Sequence, residues 1–201
     1  MRGQLAGRLA EFVGWVREAL GDAPMPVVVL DAKAGPLPDP EPGDVVVTTG
    51  GRGSTYSLDP WSEAAADWLR GAVQSGLPVF AICYGHQLLA HALGGRVALN
   101  PDGPEHGTCE VRRIAHDPLF EGIDERFFVY QTHFDAVLDP PAGAVVLARS
   151  ERTAVQAMAI GDRVRTIQWH PECWAEGKAP PERTRVLRNF LRHCAGLDLP
   201  T

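Results

Sequence analysis

The sequence predicts an α/β fold, a mostly parallel central sheet flanked by helices with a small antiparallel β insert in the second half. Three observations carry this expectation. Continuous apolar runs at residues 26–30, 44–49 and 77–83 read as strands buried on both faces. Stretches with apolar residues at three-to-four spacing flank them, as helices covering a sheet require. The second half instead breaks into short runs separated by turn residues such as Gly161-Asp162, the pattern of hairpins.

Taken in order, Leu5, Leu9, Phe12, Val13, Val16 and Leu20 mark an amphipathic first helix closed by Gly21. Pro26-Val27-Val28-Val29-Leu30 is read as the first buried strand. A Pro-rich link at 35–43 leads to the run at 44–49, which ends in Gly50-Gly51. Residues 61–75 read as a helix, 77–83 as the third strand, and 87–93 as a helix stopped by Gly94-Gly95. Short strands are then expected at 96–99, 109–114, 127–130, 145–148, 154–160 and 163–169. The final helix spans roughly 181–195, with Val186, Leu187, Phe190 and Leu191 on one face.

With 201 residues, 45% hydrophobic and 22% charged, the chain suits one domain over residues 1–201. The net charge of −6, with no basic block, argues against nucleic acid or an acidic membrane surface as partner. No apolar run approaches a membrane span and the N-terminus has no secretory h-region, so a reducing cytoplasm is expected. The four cysteines, Cys83, Cys109, Cys173 and Cys194, lie far apart with no CxxC pair. Neither a disulfide framework nor a metal site is expected, because Cys173 follows His170 by three residues without a second ligand pair. Gly50-Gly51-Arg52-Gly53 lacks the Gly-Lys-Ser/Thr ending of a phosphate loop, and no cofactor is expected.

The chemistry is read from two segments. In the first, the run ending Ala81-Ile82-Cys83 passes straight into Tyr84-Gly85-His86-Gln87. Small residues on both sides of Cys83 permit a nucleophile elbow, a sharp strand-to-helix turn that lifts the side chain above the sheet. The unpaired N–H groups and dipole of the helix start are expected to lower the thiol pKa and to stabilise an oxyanion. The second segment is Gln168-Trp169-His170-Pro171-Glu172, where Pro171 ends a strand. A thiol nucleophile needs a base, and the base needs a group that fixes its tautomer; His170 and Glu172 can supply both. His170 is preferred over His86 as the base, and His133 with Asp135 reads as a pocket wall rather than a second dyad.

Together, Cys83-Tyr84-Gly85-His86-Gln87, Leu88 to Gly95 and Gln168 to Glu172 resemble the motifs of class I, triad-type glutamine amidotransferases. The resemblance runs over about residues 27–191. Thr49 to Tyr56, Asp59-Pro60-Trp61, Asn100-Pro101-Asp102-Gly103 and His133-Phe134-Asp135 make it similar to free-standing members that resemble the amidotransferase domain of GMP synthase. It implies a flavodoxin-like sheet and a γ-glutamyl thioester on Cys83. In that scheme His170 moves the protons, Glu172 orients it, and the N–H groups of Gly51 and Tyr84 form the oxyanion hole. Gln87, Thr132 and His133 would line the pocket for glutamine or a related amide. Three features depart from the family pattern. Ala81 stands where Gly is usual, Arg52 where Pro is common, and the sequence opens on a helix where a strand usually comes first.

No fused synthetase is expected, so ammonia would pass to a partner synthase or to a local acceptor. Two other readings compete: a free-standing amide or γ-glutamyl hydrolase that needs no partner, and a catalytically silent assembly component.

Overall fold

The structure, a computed structural model, describes residues 2–173 and 182–199. Helix α1 (Arg2–Leu20) is followed by β1 (Val46–Thr48), α2 (Pro60–Gln74), β2 (Val79–Ile82) and α3 (Tyr84–Ala92). Then come β3 (Arg96–Leu99), β4 (Glu105–Arg113), β5 (Arg126–His133), β6 (Asp135–Asp139) and β7 (Ala144–Arg149). Strands β8 (Ala157–Ile160) and β9 (Val164–Ile167) precede α4 (Glu182–His193). Pro181, expected to open the last helix, lies outside the described residues.

Seven strands form one sheet in the order β1-β2-β9-β8-β7-β4-β5, and β3 and β6 form a separate antiparallel ribbon. The parallel part is confined to β1, β2 and β9; the pairs from β9 to β5 are antiparallel. The α/β architecture is therefore as expected, but the sheet is mixed rather than mostly parallel. The expected small antiparallel insert is the β3–β6 ribbon, while the rest of the hairpin-rich half extends the main sheet. Its strands β8 and β7 follow the edge of β9, because tight turns such as Gly161-Asp162 return the chain beside the strand just made.

Strand β2 shows why the parallel part forms. All four residues are fully buried. Phe80 and Ile82 join the cluster under α1 and α4, while Val79 and Ala81 join the cluster under α2 and α3. Alternate side chains thus serve opposite layers, which requires an apolar residue at every position. On one face Phe80 meets Phe190 of α4, ring centroids 5.1 Å apart. Burying a side chain of this size contributes roughly 1.5–3 kcal/mol. On the other, α2 starts with Pro60 at its first turn and Glu63 near its positive end, and buries Ala65, Ala66, Leu69 and Ala72.

The strand expected at 26–30 does not form. This segment has no ladder partner among the described residues; Val28 is 75% exposed, and Val29 and Leu30 are also exposed. Alternate residues Ala23, Met25 and Val27 still lean on the core under α1. Among the described residues β1 is the edge strand of the sheet and pairs with β2 alone, so the segment leaves that outer edge unmet. Strand β6, bounded by aspartates, was not expected; it completes the ribbon with β3. Among the described residues no helix is long and apolar enough to cross a membrane.

Candidate active site

The end of β2 carries the first component. Cys83 sits between β2 and α3 with φ 50° and ψ −105°. Apart from Leu58 it is the only non-glycine residue with positive φ among those described. Such a conformation costs of order 1–3 kcal/mol and persists only where neighbours enforce it. Here the Cys83 N–H donates to the Ile167 carbonyl of β9 (2.8 Å), and the Gln87 N–H donates to the Cys83 carbonyl (3.1 Å). Gly85 is required by packing, since a β-carbon there would overlap the Thr48 hydroxyl and lie 2.8 Å from Thr48 Cβ. Ala81, the departure from the usual Gly, is accommodated in full burial.

The second component follows β9. The His170 N–H donates to the Tyr130 carbonyl (2.9 Å), anchoring the turn that Pro171 begins. Its Nδ1 lies 2.7 Å from Glu172 Oε1, and its side chain also hydrogen-bonds Cys83. With Nδ1 taken by Glu172, Nε2 is the nitrogen left for sulfur. Gly50 packs between the two groups: a β-carbon there would lie 3.3 Å from Nε2 and 3.4 Å from Cys83 Cβ. Burial pushes the His170 pKa down, but the hydrogen bonds and charges of Cys83 and Glu172 outweigh it and raise the pKa to about 10. His170 is therefore an imidazolium at neutral pH, held between a sulfur and a carboxylate. The structure thus brings Cys83, His170 and Glu172 into one hydrogen-bonded chain.

His86, beside the cysteine, behaves otherwise. Its Nδ1 pairs with Thr166 Oγ1 at 2.6 Å, and it is fully buried. Burial, with the charge of His133 next, lowers its pKa to about 3. It stays neutral and braces α3 against β9.

Gly51 lies against the Tyr84 ring, where a β-carbon would be 3.4 Å from Tyr84 Cγ. The Tyr84 hydroxyl is 2.6 Å from Ser62 Oγ, and burial pushes its pKa up. The loop carrying Gly51 and the start of α3 are thereby placed together. The same loop is tied down by Asp135, whose carboxylate accepts from Ser54 Oγ (2.5 Å) and Tyr56 Oη (2.9 Å). Asp135 is thus a tether for the loop, a role that sequence spacing did not suggest.

Gln87 is buried, and its amide nitrogen donates to the Asp135 carbonyl (2.9 Å) and to Gln168 Oε1 (3.0 Å). Thr132 and His133 are neighbours on β5, so they face opposite sides of that strand. Thr132 is half-buried. His133 is buried, with Nδ1–H donating to the Asp135 carbonyl (2.9 Å) and Nε2 3.2 Å from Glu105 Oε2. Thr153 and Gln156 also donate to Glu105, at 2.6 and 2.7 Å. This network, with Gln131 bonded to Gln156, was not anticipated. Its members lie up to 51 residues apart, and only the β4–β5 pairing joins Glu105 to His133.

As to metals, His170, Glu172 and Cys173 each offer one donor atom, and these lie within 4.8 Å of one another.

Comparison with known proteins identifies the family. The family profile for "Glutamine amidotransferase class-I" matches residues 11–194. The chain is 45% identical over 148 residues to a GMP synthase (glutamine-hydrolyzing) of Aeropyrum pernix, covering 74% of this chain and 27% of that protein. It is 40% identical over 151 residues to the protein of the same name from Thermomicrobium roseum, covering 75% and 27%. The chain thus spans about a quarter of the length of these relatives. Among solved structures, a glutamine amido transferase from Methylobacillus flagellatus superposes with a TM-score of 0.69 at 24% identity, covering 89% of this chain and 86% of that one. A glutamine amidotransferase from Thermotoga maritima gives a TM-score of 0.60 at 24% identity, covering 73% and 60%. The chain belongs to the class I glutamine amidotransferase family.

Proposed function

We propose that the chain hydrolyses the side-chain amide of glutamine and delivers the ammonia to a separate synthase. The observation that carries this reading is the chain from Cys83 through His170 to Glu172. The Cys83 sulfur attacks the amide carbon and a C–S bond forms. The amide oxygen becomes an oxyanion, which the N–H groups of Gly51 and Tyr84 stabilise; one such donor contributes roughly 2.7–4 kcal/mol. Collapse breaks the C–N bond, and His170 gives its proton to the leaving nitrogen, releasing ammonia. Water then attacks the thioester while His170 takes its proton, and glutamate leaves with Cys83 restored. Glu172 holds the imidazole in the orientation that keeps Nε2 toward sulfur.

The amino-acid end of the substrate is served by Gln87, Thr132 and His133 in different ways. Gln87 and His133 act through the Asp135 carbonyl that both of them hold, and Thr132 acts from the opposite side of β5. The names of the relatives favour a synthase of the GMP-forming type as acceptor, and a reducing cytoplasm suits the thiol. Ammonia and glutamate release by the purified chain, with and without a candidate synthase, tests the reading. A rate that rises with the synthase is expected. Equal turnover of many amides without any partner would favour a free-standing hydrolase instead.

A further inference from the structure

The turn after His170 has a second chemical capacity. The Cys173 N–H donates to the His170 carbonyl at 3.2 Å, folding residues 170–173 so that three donor side chains converge. One donor atom from each of His170, Glu172 and Cys173 lies within 4.8 Å of the others. Glu172 uses only Oε1 on His170. Its Oε2 is fully buried and has no hydrogen-bond partner among the described residues, although the residue as a whole is 8% exposed. An unpaired buried carboxylate oxygen is costly, and a cation beside it removes that cost. A pocket of about 30 Å³, walled mostly by apolar residues such as Phe127 and Trp169, also has His170 and Cys173 in its lining and so touches this turn, though not at Glu172. That is room for one water-sized occupant. Arg183 at its rim is engaged by Glu18 at 2.7 Å.

We infer that His170 Nδ1, the Glu172 carboxylate and the Cys173 thiolate form an inhibitory site for a zinc ion. A thiolate, an imidazole and a carboxylate are the donor types that select Zn²⁺ over the oxygen-seeking cations. Zinc–ligand distances of about 2.0–2.3 Å require the donors to draw closer than 4.8 Å, and the half-buried Cys173 side chain is the one that moves in toward the buried His170 and Glu172. Binding displaces the Cys173 proton and the Nδ1 proton to solvent, and water takes the fourth position. The ion occupies the nitrogen that Glu172 otherwise orients, so His170 loses its orienting carboxylate, and the proton left on Nε2 of the metal-bound imidazole keeps it from acting as the base for Cys83. The binding site stands on geometry alone; its inhibitory effect rests on the proposed function of the triad.

Binding and inhibition are separated by using a variant without the nucleophile. The Cys83→Ala protein is titrated with Co²⁺, read as a thiolate-to-cobalt charge-transfer band, and then with Zn²⁺ in competition with a chromophoric chelator. One equivalent is expected to bind. Adding Cys173→Ser is expected to abolish the band and weaken Zn²⁺ binding roughly tenfold or more, with circular dichroism confirming the fold. Glu172→Gln in the same background is expected to weaken it too. With Cys83 present, Zn²⁺ is expected to inhibit glutamine turnover, and Cys173→Ser to raise the half-inhibiting concentration when each protein is normalised to its own metal-free rate. Failure of Cys83→Ala to bind the metal would place any ion across Cys83 and Nε2 and overturn the inference, as would a band that survives Cys173→Ser. Neither result depends on glutamine being the substrate.

Discussion

Residues 26–30 and 78–82 are near twins in sequence, each a proline followed by four apolar residues, yet one is largely exposed and the other forms a fully buried interior strand of the sheet. In β2 every side chain finds a layer to enter, and the backbone pairs with β1 on one side and β9 on the other. At 26–30 there is no ladder, and Val28 faces outward at 75% exposure. Apolar character thus states what a segment could bury; a neighbouring strand decides whether it does. The same contrast extends to function, because the doubly paired strand can hold the residue that follows it in a strained conformation and the unpaired one cannot.

Cys83 is where the two segments differ most in consequence. Replacing it with Ala is expected to lower glutamine turnover by roughly 10⁴-fold or more while secondary structure is kept. Val28→Ala should leave turnover unchanged in the same steady-state assay. Next in size is stability. Phe80→Ala, which empties a fully buried position against Phe190, is expected to cost about 3–5 kcal/mol in urea unfolding. Val28→Ser should cost no more than about 0.5 kcal/mol. An equal loss at both positions would erase the distinction.

A protonation measurement sharpens the picture of what the strained end supports. The folded His170 pKa of about 10 is above the ordinary 6.5. The stabilisation from its partners is therefore fully present below pH 6.5 and is lost as pH rises through about 10. Imidazole NMR should follow a proton lost near that pH in the wild type, and at clearly lower pH in Cys83→Ala, where one source of the shift is gone. The smallest effect concerns strain itself. Cys83→Gly should be more stable than Cys83→Ala by about 1 kcal/mol, because φ 50° suits glycine. Calorimetry ranking the alanine variant higher would mean that the elbow is not strained.

Much of the site was legible because its components are local. The small residues around Cys83 and the His-Pro-Glu turn at 170–172 each carry their geometry within a few residues. What the sequence concealed is long-range. The tether from Asp135 to Ser54 and Tyr56 spans about eighty positions, and Glu105 meets Thr153 and Gln156 only through the β4–β7–β8 sequence of strands. Adjacency in the chain also hides that Thr132 and His133 face opposite sides of β5, which strand alternation dictates once the strand is known. The loss of the strand at 26–30 was not readable locally, since nothing in its proline-led apolar run distinguishes it from 78–82.

The proposed reaction passes through a covalent intermediate at the end of β2. The direct measurement is rapid acid quench of the wild-type chain during turnover of glutamine labelled in its carbon skeleton, followed by peptide mapping. Label on the peptide that contains Cys83, absent from the Cys83→Ala protein, is the predicted result. Turnover that proceeds with no label on Cys83, or with label on another cysteine, would contradict the assignment.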